Sequence, residues 1–85
     1  QAVALSRGLR EAERALRAGE RSSARLKAIV RRVWKGYPGI REDYIEVVDA
    51  DTLRPVKRIE RRVLLAVAAQ VGPARLIDNL EWGPR

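Results

Sequence analysis

The hydrophobic positions of this chain change period along its length. From Ala2 to Ala18, Leu5, Leu9, Ala12 and Leu16 recur at steps of three and four, so one helical face carries them all. Gly8 inside this helix costs about 1 kcal/mol against Ala, which predicts a close packing contact there. Gly19 tolerates the left-handed conformation and is the expected stop. Ser22 or Ser23 can cap the next helix by accepting an N–H bond from its first turn. That helix runs to about Lys35, with Leu26, Ile29, Val30 and Val33 as its apolar face, and Gly36 and Pro38 end it.

The period then shortens. Ile40–Asp49 carries Tyr44, Ile45, Val47 and Val48, all strand formers. Ala50-Asp51-Thr52 is a turn, and Asp51 or Thr52 is expected to cap a short helical turn through Leu53. Pro55 discourages anything longer. Val56–Arg62 reads as a polar connector with the lone Ile59.

The organising stretch is Val63–Leu80. Eight of the nine residues from Val63 to Val71 are apolar and none is charged. The run does not alternate, so a strand here is expected to be covered on both faces; a helix over Val63–Gln70 is the competing reading. Gly72-Pro73 breaks the run as a turn. Arg75–Leu80 follows as a strand with Leu76, Asp78 and Leu80 facing one way and Arg75, Ile77 and Asn79 the other. Residues 81–85 read as a tail. Trp34 and Tyr37 are expected to pack in the core or seal the edge of the hairpin, a stacking platform for a ligand being the alternative.

The expected fold class is therefore α+β. An antiparallel helix pair packs on a small, three-stranded antiparallel sheet in the order α-α-β-β-β, and residues 1–85 form a single domain.

Charge sharpens this picture. The net charge is +7. Residues 1–36 hold ten Lys or Arg against three acids, whereas residues 37–85 hold eight of each. Arg7, Arg10, Arg14, Arg17 and Arg21 fall within roughly 80° of helix circumference, opposite the leucines. Such a stripe could track phosphates, and a basic module for nucleic acid or another polyanion is the alternative functional reading. The competing view is a plain solvated face, since neither a helix-turn-helix pattern nor interleaved aromatics accompany it. A structural or oligomerisation module is a third possibility.

Candidate chemistry is thin. The chain has no Cys and no His, so it lacks a thiol nucleophile, a thiolate metal site and the commonest general base. Glu42, Asp43, Glu46, Asp49 and Asp51 cluster, but a strand sends Asp43 and Glu46 to opposite faces. Their spacing matches no calcium loop. A solvated edge with local pairing to Arg41 or Arg54 is expected instead of a metal site. No phosphate-binding Gly-rich loop is present. No apolar run approaches the ~20 residues that span a bilayer.

Three groups of residues carry a resemblance. They are Asp43-Tyr44-Ile45-Glu46, then Thr52-Leu53-Arg54-Pro55, then Gly72-Pro73-Ala74-Arg75-Leu76-Ile77-Asp78-Asn79. With Leu5-Ser6-Arg7 and Leu9 in the first helix, they make the chain resemble the C-terminal domain of the pantoate–β-alanine ligase (pantothenate synthetase) family. The likeness covers essentially all 85 residues. Glu60-Arg61-Arg62 departs from it, because family members commonly place a Gly before the apolar strand. The resemblance implies a cytoplasmic, usually homodimeric enzyme that joins pantoate and β-alanine through a pantoyl-adenylate, using ATP and Mg²⁺. It implies that the catalytic motifs lie in an N-terminal nucleotide-binding domain, and that these residues form a hinged lid with no catalytic, cofactor-binding or metal-binding residue of its own. Arg75, Asp78 and Asn79 are then candidates for inter-domain contact. The alternative for Asp78 and Asn79 is bonding to nearby backbone or to Arg75.

Overall fold

The computed structural model describes residues 2–84 of the chain. Two helices, α1 (Ala2–Arg17) and α2 (Ser23–Lys35), precede three strands, β1 (Ile40–Asp49), β2 (Val63–Val71) and β3 (Ala74–Trp82). The strands form one antiparallel sheet in the order β1-β2-β3. The expected α+β order holds, and Val63–Gln70 is strand rather than helix.

The helix ends follow from local chemistry. Beyond α1, Gly19 takes a φ of 108°, and the Glu20 N–H closes back onto the Ala15 carbonyl at 2.9 Å. Ser22 is the cap of α2: its side chain accepts the Arg25 N–H. Ser23 instead turns inward and is buried.

The core lies between the helix pair and one face of the sheet. Leu5, Leu16, Leu26, Val30, Val47, Leu65 and Val67 are its largest fully buried side chains. Each such burial contributes about 1.5–3 kcal/mol relative to exposure. Trp34 is 5% exposed and takes the core position of the two packing roles expected for it. Its indole N–H donates to the Ala4 carbonyl at 3.0 Å. A Cβ on Gly8 would stand 3.0 Å from the Trp34 Nε1 and from a Val30 methyl, so the missing side chain is what lets α2 approach α1. Tyr37 is partly buried at the rim, where its hydroxyl oxygen accepts a bond from Arg7 at 2.7 Å.

Four expectations need correction. First, β2 is not covered on both faces. The helices cover one face only, and on the other β2 presents Leu64, Ala66, Ala68 and Gln70, shielded in part by side chains of the flanking strands such as Val48 beside Leu64. In the register Ala68 sits between Tyr44 and Ile77 and is fully buried. Second, Val56–Arg62 is more than a polar connector. The Ser23 N–H bonds the Lys57 carbonyl and the Ile59 N–H bonds the Arg21 carbonyl, which drives Ile59 into the core at 2% exposure. Third, the helical turn through Leu53 is a single one, closed by the Leu53 N–H on the Asp49 carbonyl at 2.9 Å, and its cap is not the expected residue. The Asp49 carboxylate, rather than Asp51 or Thr52, organises the turn by accepting the N–H groups of Asp51 and Thr52. Leu53 is left exposed with a φ of 61°. Fourth, residues 81–85 are not all tail, because Glu81 and Trp82 complete β3.

Candidate functional site

The charged side chains of the sheet half are distributed over several arginines. Glu42 receives a two-pronged bond from Arg31 of α2, at 2.8 and 3.0 Å. Asp43 pairs with Arg75 at 2.8 Å and Asp51 with Arg62 at 2.7 Å. Arg62 also reaches Glu81 at 3.3 Å. The local partners expected from the sequence, Arg41 and Arg54, take none of these carboxylates. The sheet brings strand-distant arginines closer, and a register shift between Glu42 and Tyr44 rotates Asp43 away from its neighbours. Among the described residues, no three His, Cys, Asp or Glu are grouped so as to hold a metal ion.

These pairings perturb titration in the expected senses. Arg31 holds the Glu42 carboxyl below the usual carboxylate range, chiefly through the direct hydrogen bond. The backbone N–H groups of Thr52 and Asp51 lower Asp49 in the same way. Arg75 is raised by its bond to Asp43, and its guanidinium also lies 5.9 Å from the centre of the Tyr44 ring.

The arginine stripe is a solvated helix face for most of its length. Arg14 and Arg17 pair with Glu11 and Glu13 along α1, and Arg10 donates to the Ser6 hydroxyl. Arg21 does not belong to the stripe, because α1 has already ended. Its guanidinium donates to the Leu16 and Glu20 carbonyls at 2.9 and 2.8 Å, capping the spent end of the helix. It also stacks 4.7 Å above the Trp82 ring. Leu16, Arg17, Arg21, Glu81, Trp82 and Gly83 line an open cleft of about 690 Å³ at this corner. Its charged groups are engaged with protein partners. The sequence does not reveal this corner, because nothing local to Trp82 places it against Arg21.

The three residues singled out on β3 divide between the two faces. Arg75 and Asn79 stand on the outer face of the sheet with Ile77, which is 66% exposed. Asp78 is half-buried on the helix side, between Leu76 and Leu80 in the alternation. Its carboxylate accepts the Asn79 N–H at 2.8 Å, so the expected bond to nearby backbone is present. Arg75 is not its partner, being committed to Asp43.

The sequence model described as Pantoate-beta-alanine ligase matches residues 1–81. The chain belongs to this family. Among its relatives, the pantothenate synthetase of Pseudothermotoga lettingae is 46% identical over 83 residues, which is 98% of this chain and 30% of that protein. The bifunctional pantoate ligase/cytidylate kinase of Synechococcus elongatus is 48% identical over 80 residues, 94% of this chain and 15% of that protein. The fold agrees as well. The crystal structure of the Thermus thermophilus pantothenate synthetase superposes with a TM-score of 0.85 at 31% identity, over 95% of this chain and 29% of that one. The chain thus spans about 30% of the length of the pantothenate synthetases it matches, and it corresponds to their C-terminal part.

Proposed function

We propose that this chain is the lid domain of a pantothenate synthetase, and that the larger protein joins pantoate to β-alanine through a pantoyl-adenylate, with ATP as the adenylate donor. The observation that carries this reading is the family match over residues 1–81 together with the 30% share of the relatives' length. The chemistry of the residues fits a covering role. A chain without His or Cys, whose strand carboxylates are largely paired with arginine or bonded to backbone, offers no poised base or nucleophile. A rigid two-layer cover can nonetheless exclude water from a reactive acyl-adenylate and order the site on closing.

Within that reading, Mg²⁺ would have to be held outside these residues, and the covering role does not depend on it. The outer sheet face, with Arg75, Ile77 and Asn79, is the surface assigned to contact with the catalytic part. Asp78 lies half-buried on the helix side of the strand, so a contact made by it would be separate from that of the outer face. The larger enzyme is proposed to act as a homodimer in the cytoplasm. Among the described residues no helix is long and apolar enough to cross a membrane.

A chimera tests the proposal. In the Pseudothermotoga lettingae protein, the matching segment is either deleted or replaced by this chain, and AMP and pantothenate are measured together. Deletion is expected to uncouple AMP release from pantothenate formation, and replacement to restore the coupling. A folded chimera that makes pantothenate no faster than the truncated protein overturns the assignment.

A further inference from the structure

The two edges of the sheet are treated differently. The β1 edge is closed over its second half, where the Asp49 N–H bonds the Arg54 carbonyl and the Val56 N–H bonds the Val47 carbonyl. Its first half carries the register shift at Asp43. Closed or bulged edges resist pairing with another chain. The β3 edge has neither device. It runs for nine residues with no Pro, no Lys and no register shift, and among the described residues no backbone group of β3 bonds to backbone outside its ladder with β2.

The register fixes which groups this edge offers. Val71 and Ala74 close the two-residue Gly72-Pro73 turn. In such a hairpin the closing pair is hydrogen-bonded and the pairs alternate from there. Arg75, Ile77, Asn79 and Glu81 therefore turn their N–H and C=O groups away from β2. One of these four donors already has a partner: the Asn79 N–H is taken by the Asp78 carboxylate.

A second copy of β3 can meet this edge about a two-fold axis at Asp78. Arg75 then faces Glu81 of the other copy, Leu76 faces Leu80, and Ile77 faces Asn79. The four outward residues fall opposite one another, as a hydrogen-bonded ladder requires. Leu76 matches Leu80 and Arg75 matches Glu81, each of these two charges also holding a partner within its own chain (Asp43 and Arg62), Ile77 meets an amide, and the opposition lies at the centre. There Asp78 faces its own copy in a non-hydrogen-bonded pair, where Cα atoms approach to about 4.5 Å and like charges oppose. The approach would also strip the carboxylate from the Asn79 N–H.

We propose that β3 is a self-complementary pairing edge for a second copy of this chain, held open by the single charge of Asp78. An inward-facing charge on an edge strand is a known means of blocking such association. This inference stands apart from the assignment as a lid and does not require it.

The test is the mass of the 85-residue chain in solution at concentrations to about 1 mM, where even a millimolar dimer would register. Wild type is expected to remain a 9.6 kDa monomer. Asp78→Asn and Asp78→Thr, each checked for fold by circular dichroism, are expected to double in mass. Adding Arg75→Glu to Asp78→Asn sets a carboxylate against Glu81 of the other copy and should return the monomer; adding Glu81→Arg as well should restore the dimer. Two folded Asp78 variants that stay monomeric overturn the proposal. So does a wild-type chain that dimerises equally well, or a dimer indifferent to the charges at these two positions.

Discussion

Gly8 and Trp34 are matched across the helix pair: a Cβ on Gly8 would lie 3.0 Å from the indole nitrogen, which itself donates to the Ala4 carbonyl. Any larger residue at position 8 must displace the ring that anchors the helices. Gly8→Leu is expected to destabilise by about 1–3 kcal/mol through overpacking. Gly8→Ala should cost less, because its helix propensity returns about 1 kcal/mol. Trp34→Phe removes the second donor to the Ala4 carbonyl, which keeps its helical bond from the Gly8 N–H, and should cost about 0.5–1.5 kcal/mol for the lost hydrogen bond. Urea midpoints of the three variants check the ordering.

Ile59 and Leu53 sit in the same connection between β1 and β2, yet one is 2% exposed and the other 63%. Ile59→Ala should therefore destabilise by about 2–5 kcal/mol. Leu53→Ala should stay within about 0.5 kcal/mol of wild type apart from any backbone effect of its positive φ. Equal effects in thermal unfolding would show that the loop is not stapled to the core.

The Arg31–Glu42 bond predicts an acid limb. The folded chain binds the Glu42 proton less readily than the unfolded chain does, so stability rises with pH across this window. The contribution is complete above the ordinary carboxylate range and disappears as pH falls through the lowered value of the folded state. Both side chains are part-exposed, which limits the effect to about 1 kcal/mol or less. Glu42→Gln should lower the urea midpoint at neutral pH and converge on wild type in acid. A constant difference at all pH values would contradict the sign.

Arg75 reaches from β3 across the sheet to Asp43 beside β1's register shift, and passes near Tyr44 on the way. A double-mutant cycle with Arg75→Ala and Asp43→Ala should give a small favourable coupling, as for other exposed pairs. Raising the salt concentration should reduce it.

The elements that could be read from the sequence were those with a local cause. The leucine period of α1, the Gly19 stop and the Gly72-Pro73 turn each depend on residues within a few positions of one another. Even the contact at Gly8 was foreshadowed, because a glycine in a good helix is costly unless something fills its place. What escaped were arrangements decided across the fold. Arg75 chose Asp43, a residue 32 positions away, over any neighbour. Ile59 is buried only because the chain at Arg21–Ser23 supplies backbone partners for its segment. Trp82 has a place only once Arg21 leaves α1 and turns over its ring. The three candidate residues of β3 were correctly placed on alternating faces, but that alternation separates Asp78 from Arg75 and Asn79.

The excess positive charge lies in residues 1–36, which form the helical layer, while the remainder of the chain is balanced. Charge separated in this way, across the thickness of a two-layer domain, gives the molecule a permanent dipole moment roughly normal to its sheet. Near an anionic surface it experiences a torque as well as an attraction. It therefore arrives already turned, helices first, with the bare face of the sheet pointing away.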